Sequence, residues 1–381
     1  MSRIDELTRS LAEDAAGWLD AETLDDLDRA LRDDPDAVIP DEARTRAIAG
    51  ALHPFTGKLE DAERRREERE MLIAMARKAI DELRRLGGTG FPLARLDDGA
   101  QAGAALLALL VARPAIPVAG GTFPAPRTKP WDVLDGCRPQ VETMFPRVGR
   151  IEVPALEYPS YAGTGFVVGD GLVLTNRHVL KPFAWEIGGR WTLREGRAAR
   201  IDFGEELAAE GASAPADDGA ATTFAIEEVL GCHDAFDLAL LKVAGRSVDG
   251  QRDLPTAVTL APDGSGVREA QSAFLVGYPG REEKNPEPSL MDGLFESIYY
   301  VKRLQPGTVM HVITDGDERG ILQHDCSTLA GNSGSCLADL ATGDVIGLHY
   351  AGMHGRFNLA VALWMLRDDP FLSRFEVHWA A

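Results

Sequence analysis

A chain of 381 residues is long for one domain and comfortable for two. Apolar residues make up 45% and charged residues 26%, with 39 Gly and 22 Pro, which excludes a disordered, collagenous or mucin-like chain. Asp and Glu outnumber Lys and Arg by 60 to 40, and a net charge of -20 argues against a general binder of nucleic acid or of an anionic membrane.

The first 112 residues read as an all-helical bundle. Ile4, Leu7 and Leu11 share one helical face, and Leu24, Leu27 and Leu31 share another, with Thr23 as a cap. Pro40 and Asp41 start a third pattern through Ile48 and Leu52. The clearest pattern runs from Glu60 to Leu86, with the stripe Leu72, Met75, Ala79, Leu83 and Leu86, and stops at Gly87-Gly88. A further helix is expected over Asp98 to Val111. Residues 1–50 carry 14 acidic and 6 basic side chains, a net of -8, so this region is also the most acidic.

Pro, Gly and Thr crowd residues 114–130, and 113–154 reads as a linker or wrap, within which 131–155 has a second reading as a helix followed by the first barrel strand. The texture then changes. Runs such as GFVV, LVLT, FDLALLKV, AFLVGY, TVMHVI and DVIGLHYAG, separated by Gly, Asp and Pro, predict strands and turns over 155–366. Residues 207–222 read as a surface insertion, and 367–381 as a C-terminal extension.

Cys137, Cys232, Cys326 and Cys336 show no metal-ligand spacing, so no metal is expected and a reducing compartment is the simpler reading. The beginning MSRIDELTRSLAED holds no hydrophobic secretion segment. Gly103 to Ala112, the longest apolar stretch, is half a bilayer span. The expectation is a soluble, cytoplasmic protein without a membrane segment.

Three segments carry chemistry together. LVLTNRHVL delivers His178 at a strand end, FDLALL opens an apolar strand with Asp237, and GNSGS sets Ser333 between glycines where the backbone can bend. A serine hydroxyl is a weak nucleophile until a base takes its proton, and imidazole is suited to that task near neutrality. A carboxylate then holds the ring in the productive tautomer. His178, Asp237 and Ser333 supply these three roles. The N–H groups of Gly331 and Ser333 converge as an oxyanion hole, while Asn332 shapes the turn. Asp234 is the rival acid.

These motifs resemble those of the chymotrypsin-fold serine proteases. LTNRHVL is similar to their histidine motif, FDLALL to their aspartate motif and GNSGS to their nucleophile motif, in the same order and at gaps of 59 and 96 residues. The resemblance implies an all-β double six-stranded antiparallel barrel, here preceded by the helical bundle. It further implies a serine endopeptidase that needs no cofactor. His178 and Asp237 belong to the first barrel in that picture and Ser333 to the second. The bacterial trypsin-like and glutamyl-endopeptidase branch is nearest, because Asn332 replaces the aspartate that pairs with a newly cut N-terminus in animal digestive members. Cys336 departs from that branch, which carries proline there. Cys326 and Cys336 read as buried small residues, with a disulfide between them left open.

In the resemblance the base of the substrate pocket falls among Cys326, Ser327, Thr328 and Leu329. None is acidic, which disfavours cleavage after Lys or Arg, although a register shift could bring Asp325 into play. Gly347 to Gly352 resembles the pocket-lining strand of glutamyl endopeptidases and picornaviral cysteine proteases. It assigns Thr328 and His349 to recognition of Glu or Gln, with small residues the competing preference, and the Tyr350 to Gly352 backbone to pairing with an extended substrate. His349 as a satisfied core histidine is the alternative. His311 and His324 have no partner set that suggests a metal site, and each reads as structural or exposed.

The acidic bundle resembles, in length and texture, adaptor domains ahead of bacterial trypsin-like proteases in defence systems. It is expected either to dock a partner protein, to gate the cleft, or only to stabilise the barrels. A non-catalytic peptide-binding scaffold and a partner-activated latent protease are the competing functions.

Overall fold

The structure, a computed structural model, describes residues 21–33, 73–85 and 113–381, apart from 127–128, 157–159, 208–218, 282–294 and 354–356 and residues 75, 297, 315, 317 and 318. The helices expected around Ile4 to Leu11, Pro40 to Leu52 and Asp98 to Val111 lie outside the described residues, as does most of the 207–222 insertion.

Helix α1 (Ala21–Asp33) buries Leu24, Leu27 and Leu31, the stripe its spacing predicts. Thr23 lies inside this helix and does not cap it. Residues 76–85 form a second helix, α2, which buries Ala76, Ala79, Ile80 and Leu83. The two run antiparallel. Arg84 bonds Asp25 and Asp28, both at 2.7 Å, while Arg77 bonds the Leu31 carbonyl at 2.8 Å. Leu72, Met75 and Leu86 of the expected stripe are outside the described residues.

The wrap is more structured than its composition suggests. It contains a short strand β1 (Ile116–Pro117), a 3-10 turn at Trp131–Asp135, a short helix α3 (Arg138–Glu142) and a turn at Phe145–Arg147. The first barrel strand, β2 (Val148–Glu152), follows α3 and starts ahead of the boundary at residue 155, as in the second reading of 131–155.

Six strands close the first barrel. They are β2, β3 (Tyr161–Gly169), β4 (Leu172–Thr175), β7 (Arg200–Asp202), β8 (Thr223–Cys232) and β9 (Ala239–Val243), in the order β2-β3-β4-β9-β8-β7. A hairpin of β5 (Ala184–Ile187) and β6 (Arg190–Leu193) is inserted between β4 and β7. Six further strands form the second antiparallel barrel: β10 (Ser272–Gly277), β11 (Arg303–Ile313), β12 (Ile321–His324), β13 (Cys336–Asp339), β14 (Val345–Met353) and β15 (Phe357–Ala362). Their order is β11-β10-β13-β14-β15-β12, closed by the β11–β12 pairing, and β1 adds to the β11 edge. The expected double barrel with helical elements ahead of it is the observed architecture.

Each barrel has its own interior. Val167, Val173, Phe183, Ile201, Phe224 and Leu241 fill the first. Leu275, Val309, Leu322, Leu337 and Ile346 fill the second. A third and larger cluster joins Phe166, Leu174 and Leu240 to Phe274, Leu304 and Leu348, so the two barrels share one apolar seam. The C-terminal residues belong to this body. His378 N–H bonds the Val168 carbonyl at 2.8 Å, and Leu260 N–H bonds the His378 carbonyl at 2.9 Å.

Candidate active site

β4 ends at Thr175, and a 3-10 turn over Arg177–Leu180 follows. Val179 and Leu180 bury their side chains in the first barrel and so anchor the turn. His178, directly before them, keeps 36% of its side chain exposed. Its ring Nδ1 lies 2.5 Å from Asp237 Oδ2, and its backbone N–H donates to Asp237 Oδ1 at 3.0 Å. Buried Asn176 clamps the other side by donating from Nδ2 to the Asp237 carbonyl at 2.8 Å. Asp237 sits two residues before β9, and the buried Leu238 and Ala239 that follow it fix its position.

Burial works to raise the Asp237 carboxyl. The hydrogen bonds and charge of His178, with Arg177 beyond, outweigh it and hold the group below its ordinary value. Asp237 is therefore an anion that accepts from Nδ1–H, which leaves Nε2 as the basic nitrogen. The rival Asp234 is exposed and meets Arg177 only through its backbone carbonyl at 3.5 Å.

Ser333 sits in the loop between β12 and β13. That loop is tied to both barrels. Thr164 donates N–H to the Ser333 carbonyl and Oγ1 to the Gly331 carbonyl, both at 2.8 Å. Gly334 N–H bonds the His349 carbonyl, and His349 N–H returns to the Ser335 carbonyl, both at 2.9 Å. Gly163 on β3 passes between the histidine turn and the serine loop. A Cβ there would lie 2.8 Å from Val179 Cγ2 and 2.9 Å from the Ser333 carbonyl oxygen. The backbone of Ser333 and the neighbour of His178 thus flank one glycine. Among the described residues no acceptor takes the N–H of Gly331 or of Ser333. Asn332 is fully buried; its backbone closes two turns, N–H to the Leu329 carbonyl at 3.1 Å and carbonyl to Ser335 N–H at 2.9 Å, while its side-chain amide has no hydrogen-bond partner among the described residues.

His349 is buried and pairs through Nδ1 with His324 Nε2 at 3.2 Å. Burial pushes His349 down to about 3, with the charge of His178 adding to the effect, so its ring is neutral. Thr328 Oγ1 donates to Asn358 Oδ1 at 2.6 Å, and Asn358 Nδ2 donates to the Cys326 carbonyl at 2.7 Å. Asn358 also faces Gly352, where a Cβ would meet its Oδ1 at 2.4 Å. Tyr350 is half-buried against the shared seam. Asp325 is committed elsewhere. Its Oδ1 accepts from Thr308 N–H at 2.5 Å and its Oδ2 lies 3.4 Å from Arg113 Nε.

Three residues here were not predicted. Asn358 depends on the pairing of Gly352 with Asn358 across β14 and β15, a register invisible in sequence. His324 gains its partner from a strand 25 residues away. Arg113 lies in the segment read as linker. The open question over Cys326 and Cys336 resolves to two free, buried thiols.

The trypsin-like peptidase domain family matches residues 163–348, just under half of the chain. Residues 148–366 have a trypsin-like serine-protease fold. Glutamyl endopeptidases of Staphylococcus epidermidis are 26% identical over 217 residues, which is 56% of this chain and 61% of theirs. The chain thus spans less than two thirds of the length of those curated relatives. A crystal structure of the Rv3671c protease in an inactive form is 18% identical, with a TM-score of 0.40 over 64% of this chain and 96% of that one. The active form from M. tuberculosis is 17% identical, with a TM-score of 0.41 over 65% of this chain and 88% of that one.

One acidic cluster, Glu152, Asp202 and Glu205, has the spacing of a metal site. In this protease fold it is an ion-pair network instead. Arg150 bonds Glu152 and lies 3.0 Å from Glu205, and Arg200 lies 2.8 Å from Glu152. No described helix is long and apolar enough to cross a membrane.

Proposed function

We propose that the protein is a serine endopeptidase. Ser333 Oγ attacks the scissile carbonyl and gives its proton to Nε2 of His178, while Asp237 holds the ring and stabilises the imidazolium. The oxyanion is received by the N–H groups of Gly331 and Ser333. His178 then protonates the leaving amine, and water hydrolyses the acyl-enzyme by the reverse proton path. The observation that carries this reading is the doubly bonded His178–Asp237 pair, set one glycine away from the loop of Ser333.

For the residue before the cut we favour Glu or Gln. A neutral His349 donates a hydrogen bond without competing for charge, and Thr328 stands nearby in the same wall. The staphylococcal relatives named glutamyl endopeptidases support the same preference. Tyr350 to Gly352 lie at the β14 end, where an extended peptide could add as a strand. The acidic helical region serves to recruit or gate through a protein partner.

A fluorophosphonate probe tests the central reading. It should label wild type at Ser333 and leave Ser333→Ala unlabelled. Equal labelling of the two proteins removes the assignment.

A further inference from the structure

Residues 325–328, which lead into the Ser333 loop, are held from behind by several ties. Two come from β11: Thr308 N–H to Asp325, and the Gln305 side-chain amide to the Ser327 carbonyl. Asn358 supplies the bonds to Cys326 and Thr328 described above. The remaining two come from a residue outside both barrels. Arg113 places Nε 3.4 Å from Asp325 Oδ2, and its carbonyl accepts Ser327 Oγ at 2.6 Å.

The Arg113–Asp325 pair is buried, with side-chain exposures of 9% and 5%. Asp325 cannot withdraw from it, because the β11 backbone presses from the far side. A Cβ at Gly307 would lie 2.7 Å from Asp325 Oδ1 and from Cys326 N. A buried carboxylate in so tight a setting needs its countercharge. Arg113 itself is fixed by the strap that follows it. Ala115, Ile116 and Val118 are buried, Arg303 bonds the Ala115 carbonyl, and Val118 N–H bonds the Lys302 carbonyl at 3.1 Å. The charge of Arg113 also acts on His324, the partner of His349.

We propose that Arg113 is a positioning residue of the substrate pocket: acting through Asp325 and Ser327, it fixes the 325–328 segment against which the residue before the cut rests. This rests on the endopeptidase reading. The segment joining the helical region to the barrels is then part of the site's support. It also cancels the charge of Asp325 behind that wall, so the pocket takes an uncharged or anionic side chain in preference to Lys or Arg.

The test uses the full chain, and the fluorogenic peptide wild type cleaves best in a library varied before the cut. Arg113→Met and Asp325→Asn should each raise KM about tenfold or more, with kcat within about threefold, the pattern of lost binding that is uniform between ground and transition states. Fluorophosphonate labelling of Ser333, which barely uses the pocket, should stay within about threefold of wild type in both. The double variant should be no worse than the worse single, because the two residues act as a pair. Arg113→Lys should recover part of the KM. A wild-type KM in Arg113→Met, or single effects that multiply in the double variant, overturns the proposal. If Arg113→Met does not fold, wild-type KM values in both Arg113→Lys and the double variant overturn it equally. A wild-type protein that the probe does not label at Ser333 defeats the endopeptidase reading, and this inference with it.

Discussion

Both carboxylate oxygens of Asp237 are committed to His178, Oδ1 to its backbone N–H at 3.0 Å and Oδ2 to its ring Nδ1 at 2.5 Å. The backbone bond fixes where the carboxylate sits, and the ring bond fixes which nitrogen carries the proton. Asp237→Asn keeps the shape and reverses the second effect, since an amide NH₂ facing Nδ1 drives the proton to Nε2. The expected loss in kcat is about 10⁴-fold, with the fold intact by circular dichroism. The carboxyl titrates below its unfolded value of 3.8, so its stabilisation is present above that pH and fades as pH falls through the folded value. Melting curves of wild type and Asp237→Asn should therefore converge in acid.

The thiols give a second expectation. Cys326 and Cys336 are free and fully buried; burial raises both, Cys336 to about 12. Thiolate is the reactive form, so both should resist a disulfide reagent in the native protein. Cys137, half-buried, should react first. All four thiols should titrate after denaturation without reductant. A denatured, unreduced protein with two thiols missing from that total would mean a disulfide.

What could be read in sequence was local. His178 and Asp237 stood out because each opens or ends a short apolar run, and Ser333 because glycines flank it. The Leu24, Leu27 and Leu31 face was equally plain, because helical periodicity needs only near neighbours. The wall behind the pocket was not legible. Arg113 meets Asp325 across more than 200 positions, and Asn358 reaches Thr328 only through strand register. The start of the barrel at Val148 was only half legible: 131–155 admitted a helix followed by the first strand, but β2 holds Gly149, Arg150 and Glu152, whose polarity reads equally as loop. Those charges are buried as ion pairs inside the fold.

Gly334 offers a steric test of the serine loop. Its φ is +90°, and a Cβ there would stand 1.9 Å from the Thr164 carbonyl oxygen and 2.6 Å from Thr175 Oγ1. Gly334→Ala must move the loop off β3 and β4, because neither contact is a flexible side-chain end. The expected outcome is a melting temperature lower by several degrees and loss of fluorophosphonate labelling at Ser333. Full labelling in this variant would mean that the loop tolerates displacement.

Lys302 tests the interior. Its side chain is fully buried, and Nζ donates to the carbonyls of Phe145 and Phe203 at 2.6 and 2.7 Å and to Glu206 at 3.0 Å. One cation thereby ties the turn before β2 to the segment after β7. Lys302→Met fills the space but strands three acceptors, and breaking a buried pair in this way costs about 3–5 kcal/mol. A fall in melting temperature of more than about 6 °C is expected by calorimetry.

His349 makes acid stability a readout of the pocket. Burial, then the charge of His178, pushes it down to about 3 from an ordinary 6.5, and burial also lowers its partner His324. Arg113 adds to the field on His324, and Asp325 answers Arg113 from the same side. The folded imidazole therefore refuses a proton that the unfolded chain accepts below pH 6.5. Stability is complete above that pH and declines as pH falls toward 3, where the folded group at last protonates. His349→Asn removes one such site and keeps a polar side chain, so its melting temperature should fall less steeply between pH 7 and pH 4 than that of wild type. The same variant should lose cleavage after Glu or Gln more than cleavage after Ala. Parallel slopes in the two melting series would show that His349 is protonated alike in both states, and equal losses on all substrates would remove it from the pocket.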